Sequence, residues 1–159
     1  MIKIKNKKIF FFDLDGTLYL EDLLYNGVLD LVELLKKLNK IYFFLSNNSS
    51  ISTKDYVLKL KKLGLDVRIE DVIISTHPTI QYLKENNINK IFLLGTKSLC
   101  SEFIEKGFEI TDKDPEIVVL GFDKELTYEK LVKASYFLQN NLPYIATHPD
   151  KVCPTKKGY

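Results

Sequence analysis

Short apolar segments rich in Ile, Phe, Val and Tyr alternate along this chain with segments of helical period, and this alternation most limits the available folds. The strand-like segments lie near 8–13, 41–45, 70–74, 90–95, 117–122 and 144–147. Because strand, helix and strand in succession form a βαβ unit, the order predicts an α/β protein with a mostly parallel sheet. At 159 residues the chain is long enough to bury a sizeable core.

The intervening segments predict five helices. Two of them have an apolar face, formed by Val28, Leu31, Val32, Leu35 and Leu38 in the first and by Tyr56, Val57, Leu60 and Leu63 in the second. Ser52 and Asp55 resemble a capping box, and Gly64 can supply a left-handed residue after the second helix. The other helices are predicted at 78–86, at 97–106 with Cys100, Phe103 and Ile104 on its apolar face, and at 127–140 after a Thr127 cap.

Composition excludes several classes of protein. The 23 basic residues are scattered among 21 acidic ones and the net charge is +2, so we expect neither a nucleic-acid nor a membrane partner. Cys100 and Cys153 show no metal-ligand spacing, which is typical of a reducing compartment. The first apolar run, 9–12, is too short for a signal peptide or a membrane span, and we therefore expect a cytoplasmic protein.

Two acids follow the first predicted strand, in the sequence IFFFDLDGTL at 9–18. Asp13 lies at the carboxyl end of the strand, where open α/β sheets bind ligands. Gly16 permits a tight turn, so that backbone N–H groups of Leu14, Gly16 and Thr17 can bind a phosphate. Two carboxylates about 6 Å apart repel by roughly 3 kcal/mol at an effective dielectric of about 20. A divalent cation removes that cost, and oxygen ligands beside a phosphate favour Mg²⁺ held by Asp13 and Asp15.

The acid pair has two simpler interpretations, of which only the second remains open. An EF-hand loop does not fit, because Gly16 is the fourth residue from Asp13 rather than the sixth and a strand-like segment precedes the acids. The pair could instead merely blunt a strand end.

The second strand ends in FFLSNNSS, which places Ser46 and Asn47 at the same sheet edge. A hydroxyl and a backbone amide at this edge could bind phosphoryl oxygens. Taken alone, the stretch is explained equally well by a polar turn leading to the Ser52 cap, but together with the first motif it favours a functional site.

The segments DLDGTLY and LSNNSS resemble the first two motifs of the haloacid dehalogenase superfamily of aspartyl-phosphate hydrolases. The segments IVVLGFDKELTYEKL and YIATHPDKVCPT are similar to the subfamily with a large α/β cap, which includes 4-nitrophenyl phosphatase, phosphoglycolate phosphatase and N-acetylglucosamine-operon phosphatase types. The resemblance implies a Rossmann-like parallel-sheet core, 1–75, followed by an inserted α/β cap domain, 76–159, both of them incomplete.

The resemblance also implies roles for individual residues. Asp13 would be the nucleophile, and Asp15 would protonate the leaving oxygen and then activate water. The Asp13 carboxylate and the Asp15 carbonyl would hold Mg²⁺, while the Ser46 hydroxyl and the Asn47 amide would bind the phosphoryl group. The substrate would be a small phosphorylated metabolite, and the cap-loop residues that would contact it are His148, Asp150 and Pro154.

Two further motifs of the family, a Lys and a distal acidic pair, are not found in this sequence. We therefore expect the N-terminal part of a phosphatase with little or no turnover by itself, and the strand carrying Asp13 as an exposed edge. Such an edge, or the cap, is compatible with a homo-oligomer. The alternative is a catalytically inactive fragment that binds phosphate or a partner, and a phosphomutase or dehalogenase is a third possibility.

Overall fold

The computed structural model describes residues 6–150, and these residues form two compact units. Within the described range, the first unit comprises 6–46 and 56–73, and the second comprises 47–55 and 74–150. Helices alternate with parallel strands, so the α/β class is confirmed. The division into a core at 1–75 and a cap at 76–159 stays a prediction.

The first half of the chain builds a three-stranded sheet. Its elements are β1 (Ile9–Asp13), β2 (Tyr19–Leu20), β3 (Leu23–Leu24), α1 (Val28–Lys37), β4 (Ile41–Ser46), α2 (Thr53–Lys62), a 3₁₀ turn (Ile69–Asp71) and β5 (Val72–Ile74). The strand order is β1-β4-β5, with β1 and β4 parallel and Asp13 opposite Leu45. Strands β2 and β3 form a separate antiparallel pair. The parallel register brings the carboxyl ends of β1 and β4, and hence Asp13 and Ser46, to one edge of the sheet.

Strand β1 is an edge strand in the described part of the chain, where β4 is its one pairing partner. The Ile9 and Phe11 side chains on it are 50% and 59% exposed. This arrangement agrees with the expectation of an open edge beside the acid pair.

The apolar face predicted for α1 is wider than the one that the structure buries. Val28, Val32 and Leu35 are buried, but Leu31 and Leu38 are 39% and 55% exposed. At about 100° per residue, Leu31 and Leu38 lie on one flank of the buried stripe. Leu38 is also the C-cap residue, which follows the last helical residue, Lys37.

The start of α2 forms half of the predicted capping box. The Ser52 hydroxyl accepts a hydrogen bond from the Asp55 N–H at 3.2 Å, as expected. The second bond of a capping box, from the Ser52 N–H to the Asp55 carboxylate, does not form, because the Ser98 hydroxyl lies between the two groups. This hydroxyl accepts a hydrogen bond from the Ser52 N–H at 2.7 Å and donates one to the Asp55 carboxylate. At the other end, Gly64 has a φ of +92°, which confirms the predicted left-handed residue.

The second unit contains a four-stranded parallel sheet. Its strands are β6 (Lys90–Leu94), β7 (Glu109–Ile110), β8 (Ile117–Leu120) and β9 (Tyr144–Ala146), in the order β7-β6-β8-β9, and its helices are α3 (Thr76–Glu85), α4 (Lys97–Glu105) and α5 (Tyr128–Gln139). Alternate residues of β6 enter two apolar clusters: Ile91 and Leu93 join Leu99 and Phe103 of α4, whereas Phe92 and Leu94 pack with Ala134 of α5.

One of the sequence predictions for α4 needs correction. Phe103 is fully buried as expected and the half-buried Cys100 packs against the same apolar cluster, but Ile104 is 59% exposed. Ile104 directly follows Phe103, about 100° further around the helix, so it turns away from the core. Thr127 caps α5 as predicted, because its hydroxyl accepts a hydrogen bond from the Lys130 N–H.

Within residues 6–150, no helix combines the length and the apolar composition needed to cross a bilayer. The longest described helix, α5, has 12 residues, whereas a span needs about 20.

Candidate active site

The turn that follows β1 is closed by its own backbone. Gly16 has a φ of +84°, which favours glycine, and its N–H donates to the Tyr19 carbonyl at 2.8 Å. The Leu14 carbonyl accepts from the N–H groups of Thr17 and Leu18 at 3.1 and 3.0 Å, and the Leu14 side chain is fully buried. The amide hydrogens of Gly16 and Thr17 are thus already used within the turn, and a phosphate would have to replace one of these bonds to reach them.

Asp13 is the last residue of β1 and its side chain is exposed. Its Oδ2 atom accepts a hydrogen bond from the Thr17 hydroxyl, four residues later. Thr17 therefore acts on the candidate nucleophile through its side chain, in addition to closing the turn through its amide. An exposed carboxylate with one oxygen fixed has its other oxygen available for a metal ion or for attack on phosphorus.

Asp15 lies in a different environment, held by three side chains. Its Oδ2 atom accepts from the Ser46 hydroxyl at 3.3 Å and from the Tyr56 hydroxyl at 3.1 Å, and these two hydroxyls are 2.9 Å apart. The Lys59 ammonium lies 3.7 Å from Oδ1, and the Asp15 side chain is only 19% exposed. Two carboxylates one residue apart thus have different surroundings, which suits different chemical roles.

Tyr19 packs against Lys59, one of the side chains around Asp15. The Lys59 ammonium lies 4.1 Å from the centroid of the fully buried Tyr19 ring. Burial raises the pKa of the Tyr19 hydroxyl far above its usual value, and Tyr56, Asp15 and Asp13 raise it further. This hydroxyl lies near Asp15, but no partner of acceptable hydrogen-bond geometry exists for it in the part of the chain that the structure describes.

The residues present fit a Mg²⁺ ion with few protein ligands. Among residues 6–150, no group of three or more His, Cys, Asp or Glu residues could hold a metal. Mg²⁺ does not require one, because it is commonly bound by one or two carboxylates together with water and substrate phosphate. Asp13 offers an exposed carboxylate, while the carboxylate of Asp15 faces two hydroxyls and an ammonium group. A ligand from Asp15 is therefore better supplied by its carbonyl than by its carboxylate.

Three other predicted site residues, Asn47, His148 and Asp150, belong to the second unit. The Asn47 side-chain amide donates to Asp150, and the Asp150 N–H donates to His148 Nδ1 at 3.2 Å. The His148 ring meets the Phe122 ring edge-on, with 6.1 Å between centroids. Asn47, His148 and Asp150 thus form one polar cluster, whereas Pro154, like Cys153, lies outside the described residues.

Sequence reasoning missed Tyr56 and Lys59 as members of the site. Tyr56 had an alternative explanation as part of an apolar helix face, and it is indeed fully buried. The sequence did contain a signal for this pair, because Lys59 follows Tyr56 by three residues. That spacing places the tyrosine hydroxyl and the lysine ammonium group on the same side of a helix.

Comparison with known proteins agrees with this architecture. A model of the family described as haloacid dehalogenase-like hydrolase matches residues 10–109. Acid sugar phosphatases of Staphylococcus haemolyticus (strain JCSC1435) and Staphylococcus aureus (strain MRSA252) are 28% and 29% identical over 158 residues each. Both matches cover 98% of this chain, and they cover 60% and 61% of the respective relatives.

Solved structures of related proteins also match. The crystal structure of 4-nitrophenylphosphatase from Thermotoga maritima has a TM-score of 0.90 at 46% identity, over 97% of this chain and 59% of that one. The p-nitrophenyl phosphatase from Archaeoglobus fulgidus has a TM-score of 0.85 at 29% identity, over 96% and 59% of the two chains.

The chain therefore spans about 60% of the length of the curated relatives that it matches. The family match covers more than half of this chain and contains both Asp13 and Ser46. The chain belongs to the haloacid dehalogenase-like hydrolases.

Proposed function

We propose that this chain carries the nucleophile and the general acid–base of a Mg²⁺-dependent phosphatase that acts on a small phosphorylated metabolite. One observation carries the proposal: Asp13 and Asp15 follow the same strand but have different surroundings. Asp13 is exposed and held by a single hydroxyl, whereas Asp15 is held by two hydroxyls and faces an ammonium group. The names of the relatives, acid sugar phosphatase and 4-nitrophenylphosphatase, support phosphate esters as substrates.

The proposed reaction has two steps. A carboxylate oxygen of Asp13 attacks phosphorus, and the bond from phosphorus to the ester oxygen breaks while Asp15 gives a proton to that oxygen. Asp15 then removes a proton from water, which attacks phosphorus and releases inorganic phosphate from Asp13. The Ser46 hydroxyl donates to a phosphoryl oxygen. A bound Mg²⁺ ion would offset the negative charge shared by phosphate and Asp13.

The residues that would contact the substrate are His148, Asp150 and Pro154. The cluster of Asn47, His148 and Asp150 supports this assignment for the described residues, since it presents an amide, an imidazole and a carboxylate in one place. Groups of this kind can recognise the hydroxyls of a small polar metabolite.

Hydrolysis of 4-nitrophenyl phosphate with Mg²⁺ tests the proposal. We would assay this chain, and also a fusion to the part of the Thermotoga maritima protein that this chain does not span, since the chain covers 59% of that protein. Asp13→Asn should abolish hydrolysis and Asp22→Asn, an exposed acid nearby, should not. Full activity of Asp13→Asn in the active protein would contradict the mechanism.

A second candidate is a catalytically inactive module that binds phosphate or associates through β1. The observation in its favour is the open edge of β1, with Ile9 and Phe11 half-exposed. Calorimetry with Mg²⁺ and inorganic phosphate, together with a molecular mass from light scattering, tests it. A monomer that binds neither ligand would contradict this candidate.

A further inference from the structure

Two side chains from one helix hold the two oxygens of a single carboxylate. Tyr56 and Lys59 lie three residues apart on α2, so both project from the same face. The Tyr56 hydroxyl is 3.1 Å from Oδ2 of Asp15, and the Lys59 ammonium is 3.7 Å from Oδ1. Because each oxygen has its own partner, the pair restrains both the direction of the carboxylate and its rotation.

We propose that Tyr56 and Lys59 are positioning residues that fix the Asp15 carboxylate for proton transfer to and from the substrate. The assignment rests on the proposed function, in which Asp15 is the general acid–base. It adds two residues of α2 to a site that the sequence motifs place entirely after β1 and β4. Neither residue needs to touch the phosphate ester to affect the reaction, because proton transfer depends on a distance and direction set by Asp15.

The surroundings of both residues are suited to restraint. The Tyr56 side chain is fully buried, which leaves its ring little freedom to move. The Lys59 side chain is 26% exposed and its ammonium group lies over the buried Tyr19 ring. An exposed lysine such as Lys62, one turn further along α2, lacks such surroundings.

A count of hydrogens shows what Tyr56 contributes to the Ser46 hydroxyl. Ser46, Tyr56 and Oδ2 of Asp15 lie at mutual distances of 2.9, 3.1 and 3.3 Å. Each hydroxyl has one hydrogen to donate, and Asp15 has none once it has given its proton to the leaving oxygen, so two hydrogens then serve three contacts. If Tyr56 donates to Asp15, the carboxylate stays bound while the Ser46 hydrogen turns to a phosphoryl oxygen. Without Tyr56, the single Ser46 hydrogen could be donated to the Asp15 carboxylate or to the phosphoryl oxygen, but not to both.

Nuclear magnetic resonance on this chain tests the positioning directly, without any need for turnover. Three-bond couplings to the Asp15 carboxyl carbon report the χ1 rotamer of Asp15. We expect one rotamer in the unaltered chain, in Lys62→Met and in Tyr128→Phe, whose tyrosine is 82% exposed. We expect averaging over at least two rotamers in Lys59→Met, in Tyr56→Phe and most of all in the double variant. A single unchanged rotamer in Lys59→Met and in the double variant would overturn the proposal.

Kinetics of the active protein provide a second readout. With 4-nitrophenyl phosphate, the double variant should lower kcat by about tenfold or more, a share of the roughly 10²–10⁴-fold that general acid–base catalysis supplies, while KM changes by less than about twofold. Lys59→Arg should retain most of kcat, since it preserves the charge beside Oδ1. A rise in KM at unchanged kcat would contradict positioning.

The outcomes separate this inference from the proposed function. Hydrolysis that survives Asp13→Asn would refute the function, while the Asp15 couplings would still decide whether Tyr56 and Lys59 fix the carboxylate. Where Tyr56→Phe lowers the folded population, Lys59→Met decides the result, because the Lys59 side chain is 26% exposed whereas that of Tyr56 is fully buried.

Discussion

Glu102 of α4 accepts two hydrogen bonds from Thr53, the first residue of α2. One carboxylate oxygen accepts from the Thr53 N–H at 2.8 Å and the other from the Thr53 hydroxyl at 3.0 Å. Glu102 is only 4% exposed. The buried Glu102 carboxylate, from a distant segment of the chain, thus replaces an N-cap side chain. It accepts a hydrogen bond from the Thr53 amide, which has no partner within its own helix.

We therefore expect Glu102→Ala to lower the free energy of unfolding by about 1–3 kcal/mol, because it leaves the buried Thr53 amide without its acceptor and removes one of two partners of the Thr53 hydroxyl, the other being His77 Nε2 at 2.8 Å. Glu105→Ala is the matched control on the same helix: its ion pair with Lys54 is largely exposed and should contribute at most about 1 kcal/mol. Urea unfolding followed by circular dichroism measures both. Equal losses in the two variants would argue against the capping role.

Loss of the hydroxyl should affect the stability of the protein differently at two buried tyrosines. Tyr56→Phe removes a hydroxyl that is hydrogen-bonded to Asp15 and should lower the free energy of unfolding by about 1 kcal/mol. Tyr19→Phe removes a buried hydroxyl without a well-placed partner among the described residues and should leave that free energy unchanged or raise it by up to about 1 kcal/mol. Denaturant midpoints would reveal the difference, and a marked loss in Tyr19→Phe would show that its hydroxyl is bonded.

Stability should depend on pH through His77. Burial holds the pKa of His77 below its usual 6.5, Lys106 lowers it further and Glu102 opposes both. The unfolded chain then binds a proton more readily than the folded one, so this contribution is present above the unfolded pKa and is lost as the pH falls through the folded pKa. Between about pH 7 and about pH 5 the free energy of unfolding should fall, and His77→Gln should flatten that slope. An identical slope in the variant would rule out His77 as its source.

A side chain at Gly121 should destabilise the protein. A Cβ atom there would lie 2.4 Å from Leu99 Cδ2 and 3.2 Å from the Leu94 carbonyl oxygen. Since Leu99 is fully buried, Gly121→Ala should cost about 1–3 kcal/mol through overpacking. Gly107→Ala meets no atom within 4 Å and carries only the strain of a φ of +93°, about 1 kcal/mol. Thermal unfolding of both variants compares the two effects, and a smaller loss at Gly121 than at Gly107 would contradict the packing argument.

Local sequence signals were sufficient for much of the fold. The strands that carry Asp13 and Ser46 were predicted within a residue of their bounds, because continuous apolar runs end there in polar residues. The cap of α5 at Thr127 followed from the same kind of signal. Strands β2, β3 and β7 have two residues each, too few to show any period.

What the sequence could not reveal depends on distant partners. Tyr56 fits an apolar face, and its role became visible only with Asp15, 41 residues away. The capping box of α2 was only half correct because Ser98, 46 residues beyond Ser52, competes for its amide. The helical period of apolar residues identifies which side of a helix is buried, but it does not identify the distant polar group that contacts that side.

The two acids after β1 also differ in how much of the chain is needed to orient them. The Asp13 carboxylate is oriented by Thr17, so its geometry is encoded in five consecutive residues. Asp15 depends on Ser46 and on α2, 31 to 44 positions further along the chain. A graft of the DLDGT peptide onto another parallel sheet would therefore transfer an oriented nucleophile, but its acid–base partner would be left without a fixed direction.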